Sequence, residues 1–136
     1  MNNTRFATAI HRLTLLADAK EEWVTSDFIS TSINLNPVMV RKELSVLNEA
    51  GLVASRKGKI GGCKLNKSSD QILIAEVYLA VKNSDVLGKK NASPNPKCPI
   101  GKNINKQLEL LYKETDDVVV KHLKGKSLKD FAKQFR

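Results

Sequence analysis

Residues 36–65 read NPVMVRKELSVLNEAGLVASRKGKIGGCKL, and the fold turns on this stretch. Asn36 offers a capping oxygen and Pro37 suits the first helical position, so a helix is predicted to start there. Val40, Leu44 and Leu47 recur at helical spacing on its inward face, and Gly51 can take the left-handed conformation that ends it. That leaves Val38, Met39, Arg41, Lys42 and Ser45 facing out. Leu52 to Ser55 reads as a short apolar strand. Arg56 to Gly62 is a basic, glycine-rich turn, and Cys63-Lys64-Leu65 is the returning strand of a hairpin. Just upstream, Thr25 and Ser26 can cap a short helix carrying Phe28, Ile29 and Ser32. Residues 26–50 therefore read as helix, short turn, helix.

Outward from this core, Phe6, Ile10, Leu13 and Leu16 or Ala17 give Arg5 to Asp18 one apolar helical face. Helical periodicity resumes at Ile74, Val77, Tyr78 and Val81. Asn83 to Lys97, rich in Asn, Ser, Gly and Pro, reads mostly as loop. Ile104, Leu108, Leu111, Thr115, Val118 and His122 then step by fours and threes, a heptad-like stripe on a helix of roughly 20 residues. A short final helix begins near Ser127, with Leu128, Phe131, Ala132 and Phe135 on one face.

Composition narrows the function. Twenty-three Lys and Arg against 14 Asp and Glu give a net charge of +9, which favours a polyanionic partner without saying which. The excess is not confined to the hairpin half: residues 1–66 carry 9 basic and 6 acidic side chains, and residues 67–136 carry 14 and 8. Two cysteines, Cys63 and Cys98, exclude a disulfide-stapled fold. No apolar run is long enough for a membrane span, and the first residues do not read as a signal peptide, so a reduced, cytoplasmic protein is expected. His11 and His122 have no evident ligand partner. Metal-ligand spacings, a P-loop, a nucleophile elbow and a dinucleotide fingerprint do not occur, so no cofactor and no enzyme activity is expected. The pair Asp116-Asp117 reads as a solvated helix face.

The helix–turn–helix with a basic hairpin behind it points to duplex DNA. A recognition helix packs one face inward and presents the other to the groove. Arg41 and Lys42 suit guanine edges or phosphates, and Val38 and Met39 suit thymine methyls. In the hairpin, Arg56, Lys57, Lys59, Lys64 and Lys67 occur with no acid from 56 to 67, and Gly58, Gly61 and Gly62 allow close approach to a phosphate or minor groove. The candidate DNA contacts are Asn36, Val38, Met39, Arg41 and Lys42 on the helix, and Arg56, Lys57, Lys59, Gly61 and Gly62 on the hairpin. The plain alternative is a helical pair with a solvated basic face.

These residues carry a resemblance. Phe28-Ile29, Asn36-Pro37, Leu44, Leu47, Ala50-Gly51-Leu52-Val53, Gly58 and Gly61-Gly62-Cys63-Lys64-Leu65 resemble the bacterial Rrf-two family of winged-helix repressors, over about residues 5–124. The resemblance implies a winged helix–turn–helix, a homodimer and a long dimerisation helix. The family's wing usually reads Arg-Gly-Pro-Gly-Gly-Gly and then an aromatic residue. Here Lys57 stands in place of that Arg, Lys59 of the Pro, Ile60 of a Gly and Cys63 of the aromatic, so the DNA sequence read is expected to differ. Cluster-binding members place three cysteines ahead of the dimerisation helix; this chain has only Cys98 there, too few for an iron–sulfur cluster.

The expected fold is mainly α with a small β-hairpin wing: a winged helix–turn–helix plus a long C-terminal dimerisation helix. The expected division is a DNA-binding domain at 1–82, a linker carrying Cys98 at 83–101, and the dimerisation helix with a short C-terminal helix at 102–136. Ile104, Leu108, Leu111 and Val118 form the expected dimer seam. Cys98 lies ahead of Pro99 with Lys97 and Lys102 nearby, a setting that favours a thiolate, and is the expected redox-sensing residue; the alternative is an inert or merely capping cysteine. Cys63 is expected to be half-buried on the hairpin, with a resolving role left open. The expected function is sequence-specific transcriptional regulation, as a homodimeric repressor responding to oxidative or electrophilic stress, with a pseudo-palindromic operator. A winged-helix regulator sensing a small ligand without thiol chemistry is the alternative. A thiol enzyme lacks a base beside Cys98, and an RNA-binding module lacks an aromatic stacking platform.

Overall fold

The computed structural model describes residues 4–57 and 61–135. Helix α1 (Arg5–Asp18) is followed by α2 (Ser26–Ile33) and α3 (Pro37–Glu49), then by strands β1 (Val53–Arg56) and β2 (Gly62–Leu65). Helix α4 (Ile74–Val81), the long α5 (Pro99–Lys124) and the short α6 (Leu128–Ala132) complete the chain, with single 3-10 turns before α4 and after α6. The architecture is mainly helical with a two-stranded antiparallel hairpin, in agreement with the sequence reading.

The local signals act where expected. The Thr25 hydroxyl accepts from the Phe28 N–H at 3.1 Å, and Asn36 Oδ1 accepts from the Val38 N–H at 2.8 Å. Gly51 takes φ +77, and the Leu52 N–H donates to the Leu47 carbonyl at 3.1 Å, closing α3. Between α2 and α3, Asn34 takes the left-handed conformation and donates its N–H to the Ser30 carbonyl at 2.8 Å. Ser127 Oγ accepts from the Asp130 N–H at 3.1 Å and starts α6.

One core joins the elements. Leu13 and Leu16 of α1, Ile29 of α2, Val40 and Leu47 of α3, Leu52, Val53, Cys63, Val77 and Leu128 are all buried together. Burial of such side chains contributes about 1.5–3 kcal/mol each. Ser127 bridges Leu73, the Leu128 N–H donates to the Ile72 carbonyl, and α6 packs on α1. The chain therefore leaves the winged unit along α5 and returns to it, where Leu128 is buried in the core and Phe131 packs half-buried against it.

Several expectations change. The long helix spans 26 residues and begins at Pro99, taking in residues 99–101 that the sequence reading gave to the linker. Cys63 is 1% exposed rather than half-buried, because it lies on the inward face of β2. Asp116 is 6% exposed rather than solvated. It accepts from Lys82 Nζ at 3.0 Å and from the Val86 N–H at 2.9 Å, tying α5 to the end of α4 and to the loop beyond. Burial alone would raise the Asp116 carboxyl; the Val86 N–H and the Lys82 ammonium together hold it below its ordinary value. Asp117 is exposed and pairs with Lys113 at 2.9 Å.

Candidate nucleic-acid interface

Helix α3 is held from behind and bare in front. Val40 and Leu47 are buried, whereas Val38 is 62% and Met39 47% exposed. Arg41, Lys42 and Ser45 lie on the same outer side, and neither Arg41 nor Lys42 has an acidic partner among the described residues. Of the two acids on this helix, Glu43 is engaged by Arg5 Nε of α1 at 3.2 Å, and Glu49 lies at the far end. Asn36 is exposed, but its side chain is occupied as the cap of α3. At the far end, Asn48 Nδ2 donates to Ser55 Oγ at 2.8 Å and fixes the hairpin to the helix.

Arg12 is a feature the sequence reading missed. It is 1% exposed, and its Nη2 donates to the Val40 carbonyl of α3. Its Nε and Nη1 have no hydrogen-bond partner among the described residues. Burial pulls the guanidinium below its ordinary pKa, partly offset by the nearby Cys63 and Glu43. Burial likewise pushes the Cys63 thiol up, against the pull of Arg12. The signal was available: Arg12 stands three residues after Ala9 and four before Leu16, on the apolar stripe of α1.

On the hairpin, Arg56 and Lys57 are exposed; Lys59, with Gly58 and Ile60, lies outside the described residues. Lys67 turns away, pairing with Glu76 of α4 at 2.8 Å. Gly62 has a structural reason to be glycine. Its φ is +152, and a Cβ there would stand 2.6 Å from the Val24 carbonyl oxygen. Val24 and Cys63 exchange two backbone hydrogen bonds, each 2.9 Å, so the chain before α2 runs along the outside of β2. Trp23, which the sequence reading passed over, is thereby set against the hairpin, with the Arg56 guanidinium 4.6 Å and Lys64 Nζ 4.8 Å from its ring centroid. Gly61 lies beside Gly62 at the half-buried start of β2.

The sites proposed for sensing and pairing lie elsewhere. Cys98 is exposed and occupies the N-cap position of α5. Its turn is tight: the Cys98 N–H donates to the Asn95 carbonyl at 3.2 Å, and a Cβ on Gly101 would stand 2.5 Å from that same oxygen. Along α5, Leu111 is 50% and Val118 69% exposed; Ile104 and Leu108 are half-buried. The inward face of α5 instead carries Asp116 and Leu123, so Leu111 and Val118 point away from the chain's own core.

The chain is similar to known transcription regulators over nearly its whole length. The family model Rrf2, described as an iron-dependent transcriptional regulator, matches residues 2–134. YwnA of Bacillus subtilis (strain 168), which carries the name of an HTH-type transcriptional regulator, is 39% identical over 130 residues, covering 96% of each chain. A crystal structure described as that of a DNA-binding protein is 35% identical, with a TM-score of 0.73, over 93% of this chain and 97% of the other. The structure of CymR, the global cysteine regulator of B. subtilis, shares the fold at 22% identity and a TM-score of 0.70, over 98% of this chain and 97% of CymR.

Iron in the family's description calls for a donor set. Among the described residues, no three His, Cys, Asp or Glu side chains are grouped to hold a metal ion, and one of the two thiols is sealed in the core. These residues do not fit an iron–sulfur cluster. The match over residues 2–134, with an exposed helix α3 beside a two-stranded hairpin, shows that this chain belongs to the Rrf2 family of DNA-binding transcription regulators.

Proposed function

We propose that the protein is a homodimeric repressor that reads a pseudo-palindromic operator with α3 and the hairpin and takes its signal at Cys98. The observation that carries the reading is the arrangement of α3. Its back is pinned by Val40, Leu47 and Arg12, while Val38, Met39, Arg41 and Lys42 stand exposed beside the wing cations. Asn36 supports this surface by fixing the first turn. Arg56, Lys57, Lys59, Gly61 and Gly62 make up the second contact, on phosphate or in the minor groove. The exposed stripe of Leu111 and Val118, continued by Ile104 and Leu108, supports pairing through α5, and a regulator of this kind works in the cytoplasm.

Cys98 supports a thiol input because it is exposed, at a helix N-cap, and hydrogen-bonded through its backbone to a tight turn. A peroxide would give sulfenic acid: the thiolate attacks one oxygen, the O–O bond breaks, and the departing hydroxide leaves as water after gaining a proton. Such a change at the start of α5 would alter the spacing of the two recognition helices. A second reading, a small-ligand regulator, is favoured by a groove of about 590 Å³ between α1 and the C-terminal turn, lined by Phe6, Ile10, Leu15, Phe131 and Phe135.

The test is selection of duplexes from a random library by the full-length protein. The expected product is two related half-sites about one helical turn apart, or a multiple of it. Recovery of no enriched sequence would contradict the proposal.

A further inference from the structure

We infer that Trp23 is a positioning residue of the DNA interface, holding Arg56 and Lys64 by cation–π contact in the orientation that meets the nucleic-acid backbone. The inference rests on the reading of the hairpin as a DNA contact. In the hairpin register, Arg56 faces Gly62 and Ala54 faces Lys64, so Arg56 and Lys64 share one face while Val53 and Cys63 are buried on the other. The bridge between Val24 and Cys63 carries Trp23 to that face, and Gly62, lacking a Cβ, makes room for the passage. The ring then stands 4.6 Å from the Arg56 guanidinium carbon and 4.8 Å from Lys64 Nζ.

The chemistry favours presentation over sequestration. A guanidinium stacked on an aromatic face uses its π surface and leaves its in-plane N–H groups free. Neither Arg56 nor Lys64 has an acidic partner among the described residues, and Arg56 is exposed. Both are long side chains whose freedom would otherwise be lost on meeting a phosphate. The tryptophan restrains them beforehand, on a wing that has lysine and isoleucine at Lys59 and Ile60 and so depends on charge placement.

The test uses the full-length protein, the duplex it selects from a random library, and an unrelated duplex of equal length. Trp23→Leu is expected to weaken both by about 5- to 30-fold, the loss expected when two long side chains must be ordered only on binding. Trp23→Phe, which keeps a ring, is expected to stay within about threefold of wild type. In a background of Arg56→Ala with Lys64→Ala, the Trp23→Leu change is expected to have less than about a twofold effect. A purely structural Trp23 would lose the same factor in that background, and this overturns the inference, as does a folded Trp23→Leu protein that binds like wild type. A second measurement does not depend on Trp23→Leu folding. Trp23 is the only tryptophan, so its emission should change in Arg56→Ala with Lys64→Ala, and again when wild type binds DNA. Unchanged emission in both overturns the contact. A wild-type protein that binds no duplex overturns the DNA reading itself; normal wild-type binding with an unaffected Trp23→Leu overturns only the role given to Trp23.

Discussion

Replacing Gly62 by alanine tests the construction of the wing. The new Cβ would lie 2.6 Å from the Val24 carbonyl oxygen and 3.0 Å from its carbon, both backbone atoms that cannot swing aside as a flexible side chain would. Overpacking of this kind costs about 1–3 kcal/mol. Alanine at φ +152 adds about 1 kcal/mol of backbone strain. Escape by parting the strands would instead lose the two 2.9 Å hydrogen bonds between Val24 and Cys63, each worth about 1 kcal/mol. Either route gives a destabilisation of about 2–4 kcal/mol. With a urea m-value of about 2 kcal/mol/M, the unfolding midpoint should fall by roughly 1–2 M with m unchanged. Gly51→Ala is the internal control. Gly51 also has a positive φ, +77, but open space around the absent Cβ, so strain acts alone and the loss should be about 1 kcal/mol. A Gly62→Ala midpoint equal to wild type, or no lower than that of Gly51→Ala, would refute the reasoning.

Leu111→Glu should convert a dimer to a folded monomer in sedimentation, because it sets an unpaired charge in the proposed seam; a stable dimer at micromolar concentration contradicts the seam. Asp116→Asn should destabilise by about 1.5–3 kcal/mol at neutral pH through loss of charge-assisted bonds to Lys82 and Val86. Because the folded Asp116 value lies below the ordinary one, its contribution is present above roughly pH 4 and lost as pH falls through the folded value; acid titration of stability should show a shallower acid limb in the variant. Cys98→Ser should keep DNA affinity and lose release by peroxide, read by operator-binding assays with mass spectrometry of the thiols. Release equal to wild type would move the input to the apolar groove.

The elements were legible where local chemistry decides. Asn36-Pro37 and Gly51 bounded α3, and the spacing of Val40 and Leu47 named its inward face. Residues whose role depends on distant partners were not. Asp116 looked solvated because its neighbour Asp117 is; only the return of Lys82 and Val86 against α5 buries it. Lys67 counted among the wing charges until Glu76 claimed it. Trp23 carries no periodicity, and its place follows from one backbone bridge between Val24 and Cys63, a pairing that two isolated residues cannot announce. Arg12 could have been found, since a charge on the apolar stripe of α1 needs an explanation. The C-terminal segment forms the short helix expected from Ser127, with Leu128 buried and Phe131 and Ala132 half-buried, but Phe135, expected on the same face, is 65% exposed in the turn after α6. That Leu128 joins the winged core was not legible, because the bridge between Leu73 and Ser127 joins residues far apart in the chain.

The central claim is that α3 reads base edges while the wing holds the backbone. The most direct measurement is affinity of Arg41→Ala and Lys57→Ala for the selected operator and for an unrelated duplex, across a series of salt concentrations. Arg41→Ala should cost about 1–3 kcal/mol per site on the operator and relax discrimination between the two duplexes. Lys57→Ala should weaken both alike and lower the salt slope by about 0.9 for each phosphate that the variant no longer neutralises. Operator affinity unchanged in both variants would contradict the account.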